Sequence, residues 1–419
     1  MCGDGSQTPA RDPSAPEFPW DAGAFDAHCH PTDTMSSIAT IPGMKARTLT
    51  IMATRSQDQD LVSDVASKHG LKTRPSLDTD ASGRVVPSFG WHPWFSYQLV
   101  NDKDQSSATP PESTSEEAVH DFKKKHYTSV LSPPPQDEAF ISQLPTPTLL
   151  SAFLDATRSR ASSHPVALIG EVGLDKGFRL PDKWEAGAPR DESLTPGGRE
   201  GRRLSPHAVA MGHQVAVLKA QLGLAGELGL PVSVHGVQAH GVLYDAIAAL
   251  WKGHERDVLS KRERRQVAPN AEDWSSSEDE DSDEEGGDKP KERKQKAGDK
   301  AGQKKVESKP FPPRICLHSF SGSTEVLHRY IKPQVPADVY FSLSTAINLS
   351  TPSGVERFAE IVKEIPNDRI LVESDLHTAG VKMDDALEDM YRRVCEVKGW
   401  GLREGLERVG RNYEAFVFG

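Results

Sequence analysis

Cysteine is scarce. The 419 residues hold four, Cys2, Cys29, Cys316 and Cys395, and no two of them form a C-x-x-C pair. That scatter indicates neither a zinc knuckle nor a disulfide framework, and a reducing compartment, cytoplasmic or nuclear, is expected. Long apolar runs are missing as well. None approaches the roughly 18 residues needed to cross a bilayer. Residues 1–20 are rich in Pro, Asp and Ser and contain no apolar core of a leader, so no secretory signal is expected. Hydrophobic residues amount to 36% and mean hydropathy is −0.55. Those values are low for a compact globule of this length, so part of the chain is expected to be solvated and unpacked. An excess of positive charge is also absent: the formal net charge is −11 and the pI about 5.8. Nucleic-acid binding, if present, must then come from a local site rather than from the overall field.

What is present begins with Phe25-Asp26-Ala27-His28-Cys29-His30-Pro31. On a strand, alternate side chains share a face, so His28 and His30 are expected to point together while Cys29 points away. The rest of the chain alternates strand and helix patterns. Strands are expected at about 24–31, 48–55, 85–93, 165–175, 230–236, 314–323, 339–347 and 369–377. Helices are expected near 58–69, 147–161, 206–229, 240–252, 323–331, 354–365, 382–398 and 402–416. Residues 101–136, polar and Pro-rich, read as a long loop, and 176–206 as a surface excursion. The fold class that follows is α/β, a TIM-type (β/α)8 barrel with a disordered charged insertion. An open doubly wound sheet is the rival. The barrel is preferred because the candidate ligands fall late in strands one, four, five, six and eight, and closure brings those ends to one rim.

The domain reading is a disordered tail at 1–20, a first barrel part at 21–253, an insertion at 254–310, and a second barrel part at 311–419. The insertion carries the basic run Lys261-Arg262-Glu263-Arg264-Arg265, the acidic run from Ser275 to Glu285, and a second basic run from Lys289 to Lys305. Charge blocks without apolar residues bury no core. The segment reads as a solvated insertion, a bipartite nuclear-import signal, or a substrate for an acid-directed kinase at Ser275, Ser276, Ser277 and Ser282.

The candidate metal ligands are His28, His30, Glu171, His235, His318 and Asp375. Four imidazoles and two carboxylates suit Zn²⁺, Mn²⁺ or Fe²⁺, and Mg²⁺ less well. Glu171 is placed to bridge two divalent ions, and Asp375 to ligate one and accept a proton from water. Each has an ordinary alternative: an ion pair for Glu171, backbone-bonded strand-end histidines for His235 and His318, and a helix cap for Asp375. His92, in Gly-Trp-His-Pro, is read either as a phosphate contact or proton donor, or as structural. Trp91 and Trp94 are read as rim packing, with base stacking as the alternative. Glu373 is expected behind the ligands, and Cys29 and Cys316 as packing thiols.

With those residues in hand, the chain resembles the TatD family of metal-dependent deoxyribonucleases, among the amidohydrolase-like barrels. The match is carried by Asp26-Ala27-His28-Cys29-His30, Gly170 to Asp175, Leu230 to His235, His318 to Gly322 and Glu373-Ser374-Asp375. Gln221 and Asn412 to Phe416 also resemble family positions. The resemblance implies metal-dependent phosphodiester hydrolysis, with one ion at His28, His30, Glu171 and Asp375 and a second at Glu171, His235 and His318. The expected cofactors are two divalent ions (Mg, Mn or Zn), the expected substrate DNA ends or single strands cut 3′→5′, and the expected state a monomer. Two departures stand out. Val237 occupies the place where the family has an Arg, and Leu376-His377 stands where the family has a small or apolar residue and then Pro. The long insertions resemble the fungal branch, whose members are named as interactors of an anaphase-promoting-complex subunit, so a barrel scaffold for a cell-cycle partner is the alternative function. An amidohydrolase acting on a cyclic amide is a third reading. Such enzymes often carry a carboxylated lysine where this chain has Glu171, which argues for the phosphodiesterase.

Overall fold

The computed structural model describes residues 16–73, 83–113, 115–185, 187–258 and 309–419. Eight strands form one parallel sheet in chain order: β1 (Phe25–Cys29), β2 (Thr48–Met52), β3 (Val85–Phe89), β4 (Leu168–Asp175), β5 (Val232–Val237), β6 (Arg314–Leu317), β7 (Asp338–Leu343) and β8 (Ile370–Val372). Backbone bonds just past β8 close the ring onto β1. Asp375 N–H donates to the His28 carbonyl (3.0 Å), and His30 N–H to the Leu376 carbonyl (2.8 Å). The closed barrel expected from the sequence is therefore the fold, and the open sheet is excluded.

Strand alternation sorts the residues. Leu49 and Ile51, Val232 and Val234, Ile315 and Leu317, and Val339 and Phe341 pack outward in the main apolar cluster. The alternate positions carry the buried small polar residues Thr50, Ser88, Ser233 and Ser342, together with an apolar set that includes Cys316 and Tyr340. A parallel barrel buries both faces of every strand, which is why these strands read as near-continuous β-branched runs. The outer helices are α1 (Ser56–His69), α2 (Glu116–Val130), α3 (Glu138–Gln143), α4 (Leu150–Ser162), α5 (Met211–Leu228), α6 (His240–Trp251), α7 (Thr324–Tyr330), α8 (Pro352–Glu364), α9 (Val381–Lys398) and α10 (Leu402–Phe418).

Helix α10 stops the barrel at the N-terminal ends of the strands. The Tyr413 and Thr50 hydroxyls are 2.7 Å apart, Asn412 Nδ2 donates to the Ile370 carbonyl (2.9 Å), and Arg314 Nε donates to the Phe416 carbonyl (2.7 Å). That leaves the C-terminal rim as the open end.

Two expectations change. Residues 101–136 are not one loop: α2 occupies Glu116–Val130, with the Ser115 hydroxyl accepting from Ala118 N–H. Its buried Phe122, Tyr127 and Val130 are outnumbered by charged neighbours, so its average polarity hid an amphipathic face. The tail is shorter than expected, because Phe18 is buried and stands edge-on to Tyr391. At the insertion's edges residues 254–257 and 309–310 are exposed, and Phe311, just past it, is buried against the core. The charged runs of the insertion lie outside the described residues, as do residues 1–15.

Candidate metal centre

The C-terminal rim gathers all six expected ligands. His28 lies in β1, and His30 just beyond it. Glu171 projects from the middle of β4 and His235 from β5. His318 follows β6 directly, and Asp375 lies three residues past the end of β8. Residues 318 and 375 sit where the chain leaves the sheet, and Asp375 adopts a left-handed φ of 55°, a conformation that Asp tolerates better than most side chains. Its backbone bond to His28 holds it there.

Glu171 is the centre of the group. Its Oε2 is 3.4 Å from His28 Nε2 and 3.4 Å from His30 Nε2. Its Oε1 is 2.8 Å from His318 Nε2, 2.9 Å from His235 Nδ1 and 3.1 Å from His92 Nε2. Each carboxylate oxygen thus faces its own set of imidazoles. Asp375 Oδ1 joins the first set, 3.4 Å from His30 Nε2 and 3.9 Å from His28 Nε2.

The nitrogens converge edge to edge: His28 Nε2 to His30 Nε2 is 3.1 Å, and His235 Nδ1 to His318 Nε2 is 3.0 Å. Donor atoms around a tetrahedral ion with bonds near 2 Å lie about 3.3 Å apart. The spacing and the mixed N/O chemistry therefore fit a divalent cation. So do the charges. Burial raises a carboxyl's affinity for its proton, but the imidazoles of His92, His318 and His28 outweigh it and hold Glu171 well below the usual carboxylate range. Asp375 is lowered too, through His30 and His318 against the cost of burial. His30 is pushed up to about 9: burial opposes its charge, and Asp375 and Glu171 outweigh that. The ionised carboxylates demand positive charge at their centre, which a proton or a metal ion can supply.

A second layer fixes the rings. His28 Nδ1 is 2.8 Å from the Ser233 hydroxyl. His318 Nδ1 is 3.4 Å from Glu373 Oε1, and Glu373 in turn accepts from Ser319 (2.5 Å) and Ser342, so Glu373 stands behind the ligands as expected. His235 Nε2 lies 3.2 Å from Asp175 Oδ2. In a neutral ring that bond puts the proton on Nε2 and leaves the Nδ1 lone pair facing the centre. Asp26 ties β1 to β8 by accepting from Ser374 Oγ (2.5 Å), Ser374 N–H and His28 N–H. Burial pushes its carboxyl up to about 7.

His92 differs from the six. Its Nδ1 accepts the Trp94 backbone N–H (3.1 Å), so its proton sits on Nε2, aimed at Glu171. Burial lowers its pKa to about 4. It is a neutral hydrogen-bond donor rather than a ligand with a free lone pair.

Asp175 received no role from the sequence, although 171, 173 and 175 share one face of β4 and the period of two could have found it. Trp91 is buried in the core, edge-on to Phe153, and donates Nε1–H to the Phe95 carbonyl; Gln221 brackets its backbone with bonds of 2.7 and 3.1 Å. It is packing, as expected. Trp94 is half-buried at the rim. Cys29 and Cys316 are fully buried thiols outside the ligand set. Among the described residues no thiolate approaches the centre.

A parallel barrel with a buried histidine–carboxylate cluster at its C-terminal rim is the arrangement of a metal-dependent hydrolase. The comparisons carry this further: the TatD related DNase family matches residues 25–417, and the chain belongs to that family. It is 36% identical over 396 residues to the Cut9-interacting protein scn1 of Schizosaccharomyces pombe, covering 94% of this chain and 98% of that one. It is 23% identical to an uncharacterized deoxyribonuclease of Saccharomyces cerevisiae, over 94% and 98% of the two chains. Among solved structures, it is similar to an uncharacterized amidohydrolase from Saccharomyces cerevisiae, with a TM-score of 0.49, 12% identity and coverage of 93% and 98%.

Proposed function

We propose that this protein is a metal-dependent deoxyribonuclease that removes nucleotides from DNA ends, 3′→5′, at a two-ion site. The observation that carries the reading is the division of Glu171, with Oε2 turned to His28 and His30 and Oε1 to His235 and His318. His28, His30, Asp375 and Glu171 would hold one ion, and Glu171, His235 and His318 a second. Bound divalent ions would lower the pKa of a water and polarise the scissile phosphoryl oxygen. Asp375 accepts the proton of the attacking water, being a carboxylate held ionised at the rim. His92 donates its Nε2–H toward the phosphoryl oxygens as negative charge builds there. Glu171 keeps the two halves of the site in register. The cytoplasm or nucleus is the compartment that goes with this reading.

The test is hydrolysis of 5′-labelled single-stranded DNA by purified protein with Mg²⁺, Mn²⁺ or Zn²⁺, beside Asp375→Asn. Metal-dependent shortening from the 3′ end that vanishes in the variant is the expected result. Folded protein that cuts nothing with any of the three ions overturns the reading. A second reading, a scaffold for a cell-cycle partner, is favoured by the name of the 36%-identical relative, which interacts with Cut9. Protein purified without added metal and found free of it, yet normally folded, would move the assignment there.

A further inference from the structure

The rim beside β4 is organised by one carboxylate. Asp175 Oδ2 accepts from His235 Nε2 (3.2 Å) and from Trp94 Nε1 (2.6 Å). Its Oδ1 accepts the backbone N–H groups of Gly177 (2.7 Å) and Phe178 (2.9 Å). Gln214 on α5 holds the Asp175 backbone at both ends, at 2.9 and 3.0 Å. The result is a tight turn that lays Phe178 on Trp94. The rings are 4.8 Å apart and 11° from parallel, and both are half-buried. Trp94 stands edge-on to His92, ring centres 4.8 Å apart. A flat aromatic pair therefore adjoins the metal centre and is fastened to it through Asp175.

Cations sit on the same turn. Val237, which fills the place of the family arginine, pairs in register with Asp175, and Lys176 N–H donates to the Val237 carbonyl (3.1 Å). Lys176 and Arg179 are exposed. Arg179 lies over the turn, donating to the Phe178 carbonyl (3.1 Å). The positive charge missing from β5 is thus present one strand away, on the turn that carries Phe178. Phe178 and two cations within four residues of Asp175, with Trp94 stacked on Phe178 and bonded to that carboxylate, are the elements of a single-strand subsite, with stacking for a base and charge for its phosphates.

We propose that Trp94 and Phe178 form the shelf on which the nucleobase beside the scissile bond stacks, and that Lys176 and Arg179 hold the neighbouring phosphates. This rests on the phosphodiesterase reading above. It makes the enzyme dependent on an unpaired base, because a base within a duplex is already stacked. Neither ring contacts the reacting atoms, so both are positioning residues.

The experiment compares the metal-loaded enzyme on an ordinary single strand and on the same strand with an abasic residue on either side of the cleaved bond. Removing the base is expected to raise KM on the order of tenfold in the wild type, with kcat little changed. Phe178→Leu, which keeps an apolar body but loses the aromatic face, should raise KM on ordinary DNA by a similar factor and do nothing further on abasic DNA. Lys176→Ala with Arg179→Ala should raise KM on both substrates and reduce the salt dependence of binding. A wild type indifferent to the missing base, or a Phe178→Leu loss that is equal on both substrates, overturns the shelf while leaving the nuclease intact. A wild type that cleaves no DNA with any ion overturns the nuclease reading, and the shelf falls with it.

Discussion

His92 and Glu171 meet at 3.1 Å, Nε2 to Oε1, with the other ring nitrogen of His92 already accepting the Trp94 backbone N–H. The pairing makes His92 a donor and leaves it no lone pair for a metal. His92→Gln is therefore expected to retain the wild-type metal content while kcat falls on the order of 100-fold, the usual loss when one donor to a developing oxyanion is removed. Elemental analysis beside single-turnover rates checks both halves. A variant that loses an equivalent of metal would make His92 a ligand instead.

Glu171→Ala should abolish metal binding and hydrolysis together, because both imidazole sets face this one carboxylate. Chelation of the wild type should mimic the variant, and adding Mn²⁺ or Zn²⁺ back should restore only the wild type. A Glu171→Ala protein that keeps two equivalents of metal would remove the bridging role.

Asp175→Asn leaves a group of the same size but no longer fixes the proton of His235 on Nε2. Loss of a partner of this kind typically weakens metal binding 10–100-fold. Titration with a fluorescent zinc chelator as competitor should show that loss confined to part of the metal bound, because the His28, His30 and Asp375 side does not touch Asp175.

Arg55 is a structural hinge-pin at the same rim. Its guanidinium is buried and donates to Pro196 O (3.1 Å), Thr195 O (3.1 Å), Thr54 Oγ1 (3.0 Å), Asp58 Oδ2 (3.2 Å) and Asp33 Oδ1 (2.9 Å). Burial opposes its charge, but Asp33 and Asp58 outweigh that and raise its pKa. Arg55→Met leaves buried Asp58 without its cation, leaves Asp33 with His377 alone, and releases the 176–206 excursion. A loss of roughly 3–5 kcal/mol in urea unfolding is expected. A change under 1 kcal/mol would mean that water replaces the guanidinium.

His126 provides a pH signature outside the metal centre. It lies on the buried face of α2, its Nε2 is 2.7 Å from the Tyr97 carbonyl, and burial with nearby His213 lowers its pKa to about 4. The unfolded chain binds the proton near 6.5. Acid therefore favours unfolding: the stability is whole above about pH 6.5 and is lost as pH falls toward 4. His126→Gln keeps a donor but cannot titrate, so its unfolding free energy should be flatter across that window by up to about 3 kcal/mol. Equal slopes for the two proteins would show that His126 is not the group responsible.

Most of the centre was legible because its members follow apolar strand runs: His30, His318 and Asp375 lie past the ends of β1, β6 and β8, and barrel closure brings ends on the same side together, while Glu171 reaches the rim from the middle of β4. The excursion at 176–206 was legible as an excursion and not as a wall of the site. Thr195 donates its N–H to the Asp33 carbonyl (2.9 Å), a contact across more than 160 residues that no local pattern encodes. Helix α2 was missed for the opposite reason: its pattern is local, but its few apolar residues are diluted by the charged face that meets water.

The sequence by itself determined the order of the eight barrel strands, the parallel barrel, which histidines and carboxylates meet at the rim and the shortage of cysteine, because these follow from periodicity and residue chemistry along the chain. Only the tertiary structure decided which oxygen of Glu171 faces which imidazoles, that His92 donates rather than ligates, and that Asp175 ties His235 to Trp94 and Phe178. Those are matters of ångströms between residues brought together from different strands, and a hydrogen bond changes its meaning over less distance than a sequence pattern can specify.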